Sequence, residues 1–301
     1  MSKLKYNTSM EDIQITAEFC CNHMGDLNVA KNMIDALATA DEKARVNIIK
    51  FQKRTPKELL TPEKYNAPHS NPKNSYGNTY GEHREFLEFS REQHKELKEY
   101  CEQNGFIYSS SVFDKTALLE ILSLNPKIIK IGSANNTDLR LLDYLVKNYD
   151  GEIHISLGCI TREEEQKIIK VINEKIENVV LYACTSAYPP KKGELCLMEV
   201  RRLKEKYGNV VKGIGFSGHH KGFYPDIVAL ALGATYFERH FTLNKKFKGT
   251  DHKISLTTEE ISKLVKILKN INSELRYRPD GILNCEKYVR KNLKQITELE
   301  I

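Results

Sequence analysis

The sequence lacks a long hydrophobic run. No apolar stretch among its 301 residues approaches the ~18 residues that a membrane-spanning helix needs. The first ten residues are polar and do not contain the apolar core of a signal peptide. We therefore expect a soluble, cytoplasmic protein that has no membrane partner.

Cysteine pairs with metal-binding or redox spacing are also absent. The seven cysteines are scattered, none lies in a CxxC spacing, and Cys20, Cys21 and Cys184 lie in apolar strand-like runs. This excludes a zinc ribbon or a disulfide scaffold and favours a reducing compartment. Cys159 and Cys184 lie near predicted strand ends without a base beside them in sequence, so we expect core packing rather than nucleophilic chemistry.

The chain has no basic cluster of the kind that binds nucleic acid. Its formal net charge is +6, but the lysines and arginines are spread over helical faces and are not interleaved with aromatic residues. This distribution gives weak support for an anionic small-molecule substrate and argues against a nucleic-acid partner.

Short apolar runs alternate with longer amphipathic ones along the chain, which predicts eight strand–helix pairs. Eight such pairs over about 250 residues are typical of a (β/α)8 barrel. A doubly wound open sheet is the competing fold, but the Cys-Cys-Asn-His-Met-Gly segment at 20–25 is not the glycine-rich turn that usually follows its first strand. The predicted strands are 14–21, 46–52, 106–112, 127–133, 152–158, 178–184, 210–217 and 235–241, and the predicted helices are 28–44, 83–104, 115–122, 137–147, 161–174, 193–207, 223–232 and 257–275.

We expect residues 1–275 to form the barrel and residues 276–301 to form a loop and one closing basic helix. Residues 53–82 are rich in Pro, Asn, Ser, Gly and Tyr and are too long for an ordinary strand-to-helix connection. This segment is predicted to be irregular and to act as a lid or substrate loop, although a mobile insertion without function is an alternative.

Polar residues end nearly every predicted strand, where the catalytic groups of a barrel lie. His219 and His240 follow apolar runs at neighbouring strand ends, and Glu238 precedes His240 on the same strand face. Neutral imidazole is a common ligand of transition metals, so the two histidines predict a small metal site. A pair of satisfied core histidines is the alternative.

Two lysines lie inside apolar strands, where an ammonium is costly to bury without a compensating anion. Lys50 and Lys130, together with nearby serine hydroxyls, predict a pocket for a phosphate or a carboxylate. The alternative is an internal ion pair between each lysine and Glu18 or Glu238.

Several segments together resemble the sialic acid synthases, a family of (β/α)8 barrels that condense phosphoenolpyruvate with an aldose to make nonulosonic acids. The resemblance runs in order from about residue 13 to residue 256. It is carried by Ala17-Glu18 with Asn22-His23-Met24-Gly25-Asp26, Ile49-Lys50-Phe51-Gln52, Lys130-Ile131-Gly132-Ser133, Cys184-Thr185-Ser186-Ala187-Tyr188-Pro189, Gly215-Phe216-Ser217 with His219, Glu238-Arg239-His240-Phe241-Thr242-Leu243, and Asp251-His252.

The resemblance implies a role for each matching residue. His219 and His240 would hold a divalent metal, Mn2+ or Mg2+, with Glu238 beside it. Phosphoenolpyruvate would be bound by Lys50, Lys130, Ser133, Ser156, Ser186 and Ser217, assisted by Ser111. The sugar would face Glu18, Gln52, Tyr188 and Asp251, and Glu18, Glu238, Lys50 and Lys130 are the residues we expect to be catalytic.

Three departures from the family's pattern concern the sugar substrate. The family's glutamate after the Lys-Ile-Gly-Ser segment is Asn135 here, which we expect to contact substrate but which cannot ionise. The family's aspartate between Ser217 and His219 is Gly218. Family members commonly carry a C-terminal antifreeze-like domain that helps hold the sugar, and we expect this chain to lack it.

The expected enzyme is thus a transferase that joins phosphoenolpyruvate to an N-acylated hexosamine or a related aldose, with C–O cleavage and release of phosphate. Both partners are small molecules, and a homodimer is a possible assembly. One alternative is a related condensation that gives a 3-deoxy-octulosonate or heptulosonate. The other is a barrel that binds sugar without catalysis, although the retained histidines and lysines argue against it.

Overall fold

Eight parallel strands form a closed barrel in the computed structural model, which describes residues 13–295. Each strand pairs with the next one along the chain, and the last pairs with the first. The predicted (β/α)8 barrel and all eight predicted strands are confirmed. The strands are β1 (Gln14–Glu18), β2 (Ile48–Lys53), β3 (Ile107–Val112), β4 (Ile128–Ile131), β5 (Glu152–Ser156), β6 (Val179–Cys184), β7 (Gly213–Gly218) and β8 (Tyr236–His240).

The alternation of side chains along the strands separates an apolar layer from a polar interior. On β2, Ile49 and Phe51 pack in the hydrophobic core, and Lys50 between them lies on the opposite face. The register of the barrel places Lys50 opposite Glu18 of β1 and Lys130 opposite Ser111 of β3. Burial of the apolar face thus brings the polar residues of adjacent strands together inside the barrel.

Helices join successive strands and cover the barrel. Their bounds are α1 (Leu27–Ala38), α2 (Pro56–Leu59), α3 (Pro62–Asn66), α4 (Tyr80–Phe86), α5 (Arg91–Gln103), α6 (Lys115–Leu122), α7 (Leu139–Asn148), α8 (Arg162–Ile172), α9 (Met198–Tyr207), α10 (Tyr224–Ala231), α11 (Thr258–Glu274) and α12 (Lys287–Asn292). Within residues 13–295, no helix combines the length and apolar character needed to cross a membrane.

Some predicted helix bounds were wrong. The predicted helix 83–104 is two helices, α4 and α5, because Thr79 and Ser90 each form a capping box that starts a new helix. The predicted helix 28–44 ends at Ala38, and Asp41 then caps a separate 3-10 turn at Glu42–Ala44. The predicted helix 193–207 begins only at Met198.

The segment after β2 is more ordered than predicted. It contains α2, α3, a 3-10 turn at Pro72–Asn74 and the first turn of α4. The Tyr76 hydroxyl donates a hydrogen bond of 2.6 Å to the carbonyl oxygen of Lys248, which joins this segment to the loop after β8. Its role as a lid or substrate loop stays a prediction.

The predicted C-terminal helix is present as α12. It does not pack as a closing element would, because its apolar side chain Tyr288 is 73% exposed and the following Leu293 is 72% exposed. Residues 296–301 of the predicted tail lie outside the described residues. The division of the chain into barrel and tail stays a prediction.

Candidate active site

The carboxyl ends of the strands surround a cavity of about 400 Å³, a volume typical of small-molecule sites. It brings together predicted site residues from all eight strands or the loops that follow them. On its wall lie Glu18, Lys50, Gln52, Ser111, Lys130, Ser133, Ser156, Ser186, Tyr188, Ser217, His219, Glu238 and His240.

Lys130 places a buried ammonium without a hydrogen-bond partner at the cavity wall. Its side chain is 1% exposed, and Nζ lies 3.6 Å from the Glu238 carboxylate and 3.3 Å from the ring centroid of Tyr182. No hydrogen-bond acceptor for Nζ exists within residues 13–295. Burial lowers the pKa of Lys130 to about 8, against the opposing effect of Glu238. The unused N–H donors make Lys130 a ready partner for an anion.

Lys50 is held by carboxylates as well as by a hydroxyl. Its Nζ lies 2.6 Å from Glu18 Oε2 and 3.7 Å from Glu238 Oε1, and it donates to Ser111 Oγ at 2.8 Å. Burial lowers the pKa of Lys50, but Glu18 and Glu238 outweigh it and raise the pKa above its usual value. The alternative of internal ion pairs is thus realised in part, yet both ammonium groups still line an open cavity.

The two carboxyl groups beside the lysines differ in acidity. Burial raises the pKa of Glu18 to about 7, against the opposing effect of Lys50. Glu238 is equally buried, but Lys130 and Lys50 together outweigh burial and lower its pKa to about 2. Glu18 therefore exchanges a proton near neutral pH, whereas Glu238 stays ionised.

The two predicted metal-binding histidines lie side by side, with ring centroids 5.3 Å apart. His219 Nδ1 lies 3.0 Å from the Thr185 carbonyl oxygen, an acceptor only, so Nδ1 carries the proton. Burial lowers the pKa of His240 to about 4, which keeps this imidazole neutral. The Tyr188 ring contacts both histidines, at centroid distances of 4.1 Å and 5.9 Å.

A candidate metal-binding triad includes His240 but not His219. Ligand atoms of Cys20, His240 and Asp251 all lie within 4.8 Å of one another. Hydrogen bonding to Cys21, burial and the Asp251 carboxylate raise the pKa of the Cys20 thiol. Imidazole, carboxylate and thiol are all donors that divalent metals accept, so the residues present fit a divalent cation.

The cysteines were partly misjudged from the sequence. Cys159 and Cys184 line the cavity rather than packing in the core, since Cys159 is exposed and Cys184 is only partly buried. Burial raises the pKa of Cys184, but hydrogen bonding and charge interaction with His219 outweigh it and lower the pKa net. Neither of these cysteines was among the predicted site residues.

Two predicted substrate contacts do not line the cavity. Asn135 turns its amide to the Val112 carbonyl oxygen, at 2.8 Å, and the neighbouring Asn136 lines the cavity instead. Asn136 donates to the carbonyl oxygens of Ser156 and Gly158, which fixes the loop after β5. Asp251 lies behind His240 and accepts a hydrogen bond from Cys20 Sγ at 3.1 Å. The sequence indicates a turn after β4, but it does not indicate whether Asn135 or Asn136 faces the cavity.

Gly218, one of the departures from the family's pattern, makes room for a buried histidine. A Cβ at this position would lie 2.7 Å from Cε1 of His220. His220 Nε2 is held by Asp226 at 3.0 Å and by Arg239 Nη1 at 3.0 Å, so the ring cannot turn away without losing these contacts. An aspartate here therefore requires a different arrangement behind the metal end of the cavity.

Comparison with known proteins agrees with this geometry. The NeuB family model matches residues 36–278. The human N-acetylneuraminate-9-phosphate synthase is 32% identical over 279 residues, which cover 93% of this chain and 76% of that protein. An N,N'-diacetyllegionaminic acid synthase from Campylobacter jejuni is 30% identical over 287 residues, 94% of this chain and 83% of that protein.

A solved structure of similar fold is the sialic acid synthetase from Leptospira borgpetersenii serovar Hardjo-bovis in complex with citrate. It superimposes with a TM-score of 0.79 at 26% sequence identity and covers 95% of this chain and 93% of that chain. With the matching family model and the human relative, this shows that the chain belongs to the NeuB family of sialic acid synthases.

Proposed function

We propose that the protein is a transferase that condenses phosphoenolpyruvate with an aldose to give a nonulosonic acid and inorganic phosphate. The observation that carries this proposal is the buried, unpartnered ammonium of Lys130 on the wall of a cavity whose other end holds His219 and His240. Two relatives are named as synthases of N-acetylneuraminate-9-phosphate and of N,N'-diacetyllegionaminic acid, and these names support this reaction class.

The lysine end of the cavity would hold phosphoenolpyruvate. Lys130 and Lys50 neutralise its phosphate and carboxylate, and the hydroxyls of Ser111, Ser133, Ser156, Ser186 and Ser217 supply hydrogen bonds around them. Because these groups are fixed before the substrate arrives, they stabilise the charge that shifts between carboxylate and phosphate without reorganising.

The histidine end would receive the sugar aldehyde. His219 and His240 would hold a divalent cation, for which the resemblance implies Mn2+ or Mg2+, and such a cation supplies Lewis-acid polarisation of the aldehyde oxygen. Gln52 and Tyr188 also lie on the cavity wall, with the Tyr188 ring against both histidines, and would contact the sugar.

Glu18 is the better candidate for proton transfer. C3 of phosphoenolpyruvate attacks the aldehyde carbon, and the aldehyde oxygen takes up a proton to become a hydroxyl. Water adds at C2 and loses a proton, and the tetrahedral intermediate then collapses to a ketone at C2 as the C–O bond breaks and phosphate leaves with the remaining hydroxyl proton. The water must lose a proton, and Glu18, with its pKa near 7, can accept it at neutral pH. Glu238, ionised between the lysines, would hold their charges in place rather than exchange protons.

The test is phosphate release from phosphoenolpyruvate with a panel of aldoses, each with and without a divalent cation. We expect release with an N-acylated hexosamine or its phosphate. Release only with shorter aldose phosphates would show the octulosonate or heptulosonate reaction. No release with any sugar, together with measurable sugar binding, would favour a barrel that binds without catalysis.

A further inference from the structure

We propose that Cys20 and Asp251 complete a cation site with His240, and that this site takes a thiophilic divalent cation such as Zn2+, or Co2+ in its place. The role of the cation in the reaction rests on the proposed function. Binding of the cation does not, because it can be measured without turnover.

The three donors come from separate parts of the chain and converge behind the cavity wall. Cys20 follows β1, His240 ends β8, and Asp251 lies in the loop after β8. Their ligand atoms lie within 4.8 Å of one another, and the Cys20 Sγ to Asp251 Oδ2 distance is 3.1 Å. Cys20 and His240 are each 7% exposed and Asp251 is partly buried, so a cation at this site would meet solvent only on the Asp251 side.

His240 supplies an independent sign of a missing partner. Its Nδ1 is buried and has no hydrogen-bond partner anywhere in residues 13–295. A buried polar atom left unsatisfied is costly, and such atoms in native proteins commonly mark an ion or a ligand.

The backbone of Cys20 is a second sign. Its φ of +48° lies in the left-handed region that glycine adopts freely and that other side chains rarely adopt. A cysteine held there is strained, and strain of this kind gathers at functional sites. Glycine would relieve the strain but would remove the thiol.

Gln52 connects this cluster to the rest of the cavity. Its Nε2 donates to Glu18 Oε1 at 2.6 Å and to Cys20 Sγ at 3.2 Å. An N–H donor on sulfur stabilises a thiolate and orients it, as groups behind metal ligands commonly do. Gln52 is thereby a positioning residue for Cys20.

The sulfur sets the preference of the site. On coordination the Cys20 thiol releases its proton to solvent and binds as thiolate. Thiolate and imidazole favour Zn2+ and similar cations, whereas Mg2+ prefers oxygen ligands. A site with Cys20 therefore differs from the one made by His219 and His240 alone, for which the resemblance implies Mn2+ or Mg2+.

The test is the absorption spectrum of the full chain after chelation and addition of Co2+. We expect one thiolate-to-cobalt charge-transfer band per chain. Cys20→Gly should abolish the band and weaken Co2+ binding by at least about 10-fold. The variant should fold, because glycine readily adopts the backbone conformation at this position. Asp251→Asn should keep the band but bind Co2+ more weakly.

Cys196→Ser is the matched control. Cys196 is an exposed cysteine outside the triad, so its replacement should leave the band unchanged. Co2+-loaded protein without a thiolate band, or a band that persists in Cys20→Gly, overturns the proposal. A band without phosphate release would leave the cation site standing while the proposed reaction fails, and release without the band would do the reverse.

Discussion

Lys130 combines three features in one side chain: full burial, a contact with the face of Tyr182, and a pKa near 8. Below that pH it is an ammonium with free donors, and above it the charge is lost. Lys50 differs, because Glu18 and Glu238 raise its pKa and keep it charged. The charge at the anion end of the cavity therefore depends on pH through Lys130 near pH 8 and through the neighbouring Glu18 near pH 7.

Binding of phosphoenolpyruvate should weaken as the pH rises through about 8. Lys130→Met should weaken binding at neutral pH by about 10- to 100-fold, the cost of losing a charged hydrogen bond, and should flatten the pH dependence. Calorimetric titrations from pH 7 to about pH 9 measure both effects. Lys170→Met, on the exposed face of α8, is the control. If Lys130→Met kept the wild-type pH dependence of binding, the titrating group would be a residue other than Lys130.

Gly218 should not tolerate a side chain. In Gly218→Ala the new Cβ presses on the His220 ring, which Asp226 and Arg239 hold in place. Overpacking of this kind costs about 1–3 kcal/mol of the free energy of unfolding. Urea denaturation measures it, and Gly281→Ala, whose Cβ meets no atom within 4 Å, should be neutral. Equal stability of the two variants would show that His220 can move.

The lysines, serines and histidines of the cavity were predictable because each lies within a strand or just after one, and within a strand period-two geometry fixes the direction of the side chain. The loop residues were not. Asn136 rather than Asn135 reaches the cavity because of the turn after β4, and Asp251 meets Cys20 only through the path of the loop after β8. Such paths depend on tertiary contacts that local patterns do not contain.

At the scale of elements, α8 and α9 are tied together by one carboxylate. Glu165 of α8 is 1% exposed and accepts hydrogen bonds from Arg202 at 2.6 Å and Tyr207 at 2.8 Å, both on α9. Burial raises its pKa, but these partners outweigh burial and lower the pKa to about 2. The pair of helices is thus joined by a buried charge and its hydrogen bonds.

Glu165→Gln should lower the free energy of unfolding by about 1–3 kcal/mol at neutral pH. The pKa of Glu165 is lower in the folded state than in the unfolded state. The stability that the wild-type carboxylate contributes is therefore complete above the unfolded pKa of about 4.3 and decreases as the pH falls towards 2. Denaturation at pH 7 and pH 3 measures the difference. Glu163→Gln, on the exposed side of α8, should change little at either pH. If Glu165→Gln were less stable than the wild type by the same amount at both pH values, the ionised Glu165 would not be the source of the stability.

The strands were well predicted because Ile- and Val-rich runs buried on both faces leave few alternatives. The break between α4 and α5 was missed although a local signal exists. Ser90 and Gln93 have the spacing of a capping box, as do Thr79 and Glu82. The apolar periodicity of residues 83–104 concealed the break.

At the scale of the whole molecule, the barrel and the tail should differ in their contribution to stability. Deleting residues 276–301 should shift Tm by less than about 4 °C, since the side chains of the described part of the tail are largely exposed. Leu264→Ala in α11, at a fully buried position, should lower Tm further because it leaves a cavity. Scanning calorimetry compares the two proteins.

A large loss of Tm on truncation would show that the tail packs on the barrel. The predicted homodimer is testable with the same proteins by light scattering. Tyr277, Tyr288 and Leu293 are the most exposed of the apolar side chains that self-association through the described part of the tail would bury.

The different depths of the lysines and of Tyr188 inside the cavity bear on the order in which the two substrates bind. Lys130 and Lys50 are 1% and 4% exposed, whereas Tyr188 is 54% exposed at the mouth. The Tyr76–Lys248 contact joins the segments after β2 and β8. A sugar resting against Tyr188 would stand between solvent and the lysines. We therefore expect phosphoenolpyruvate to bind first and the sugar to follow.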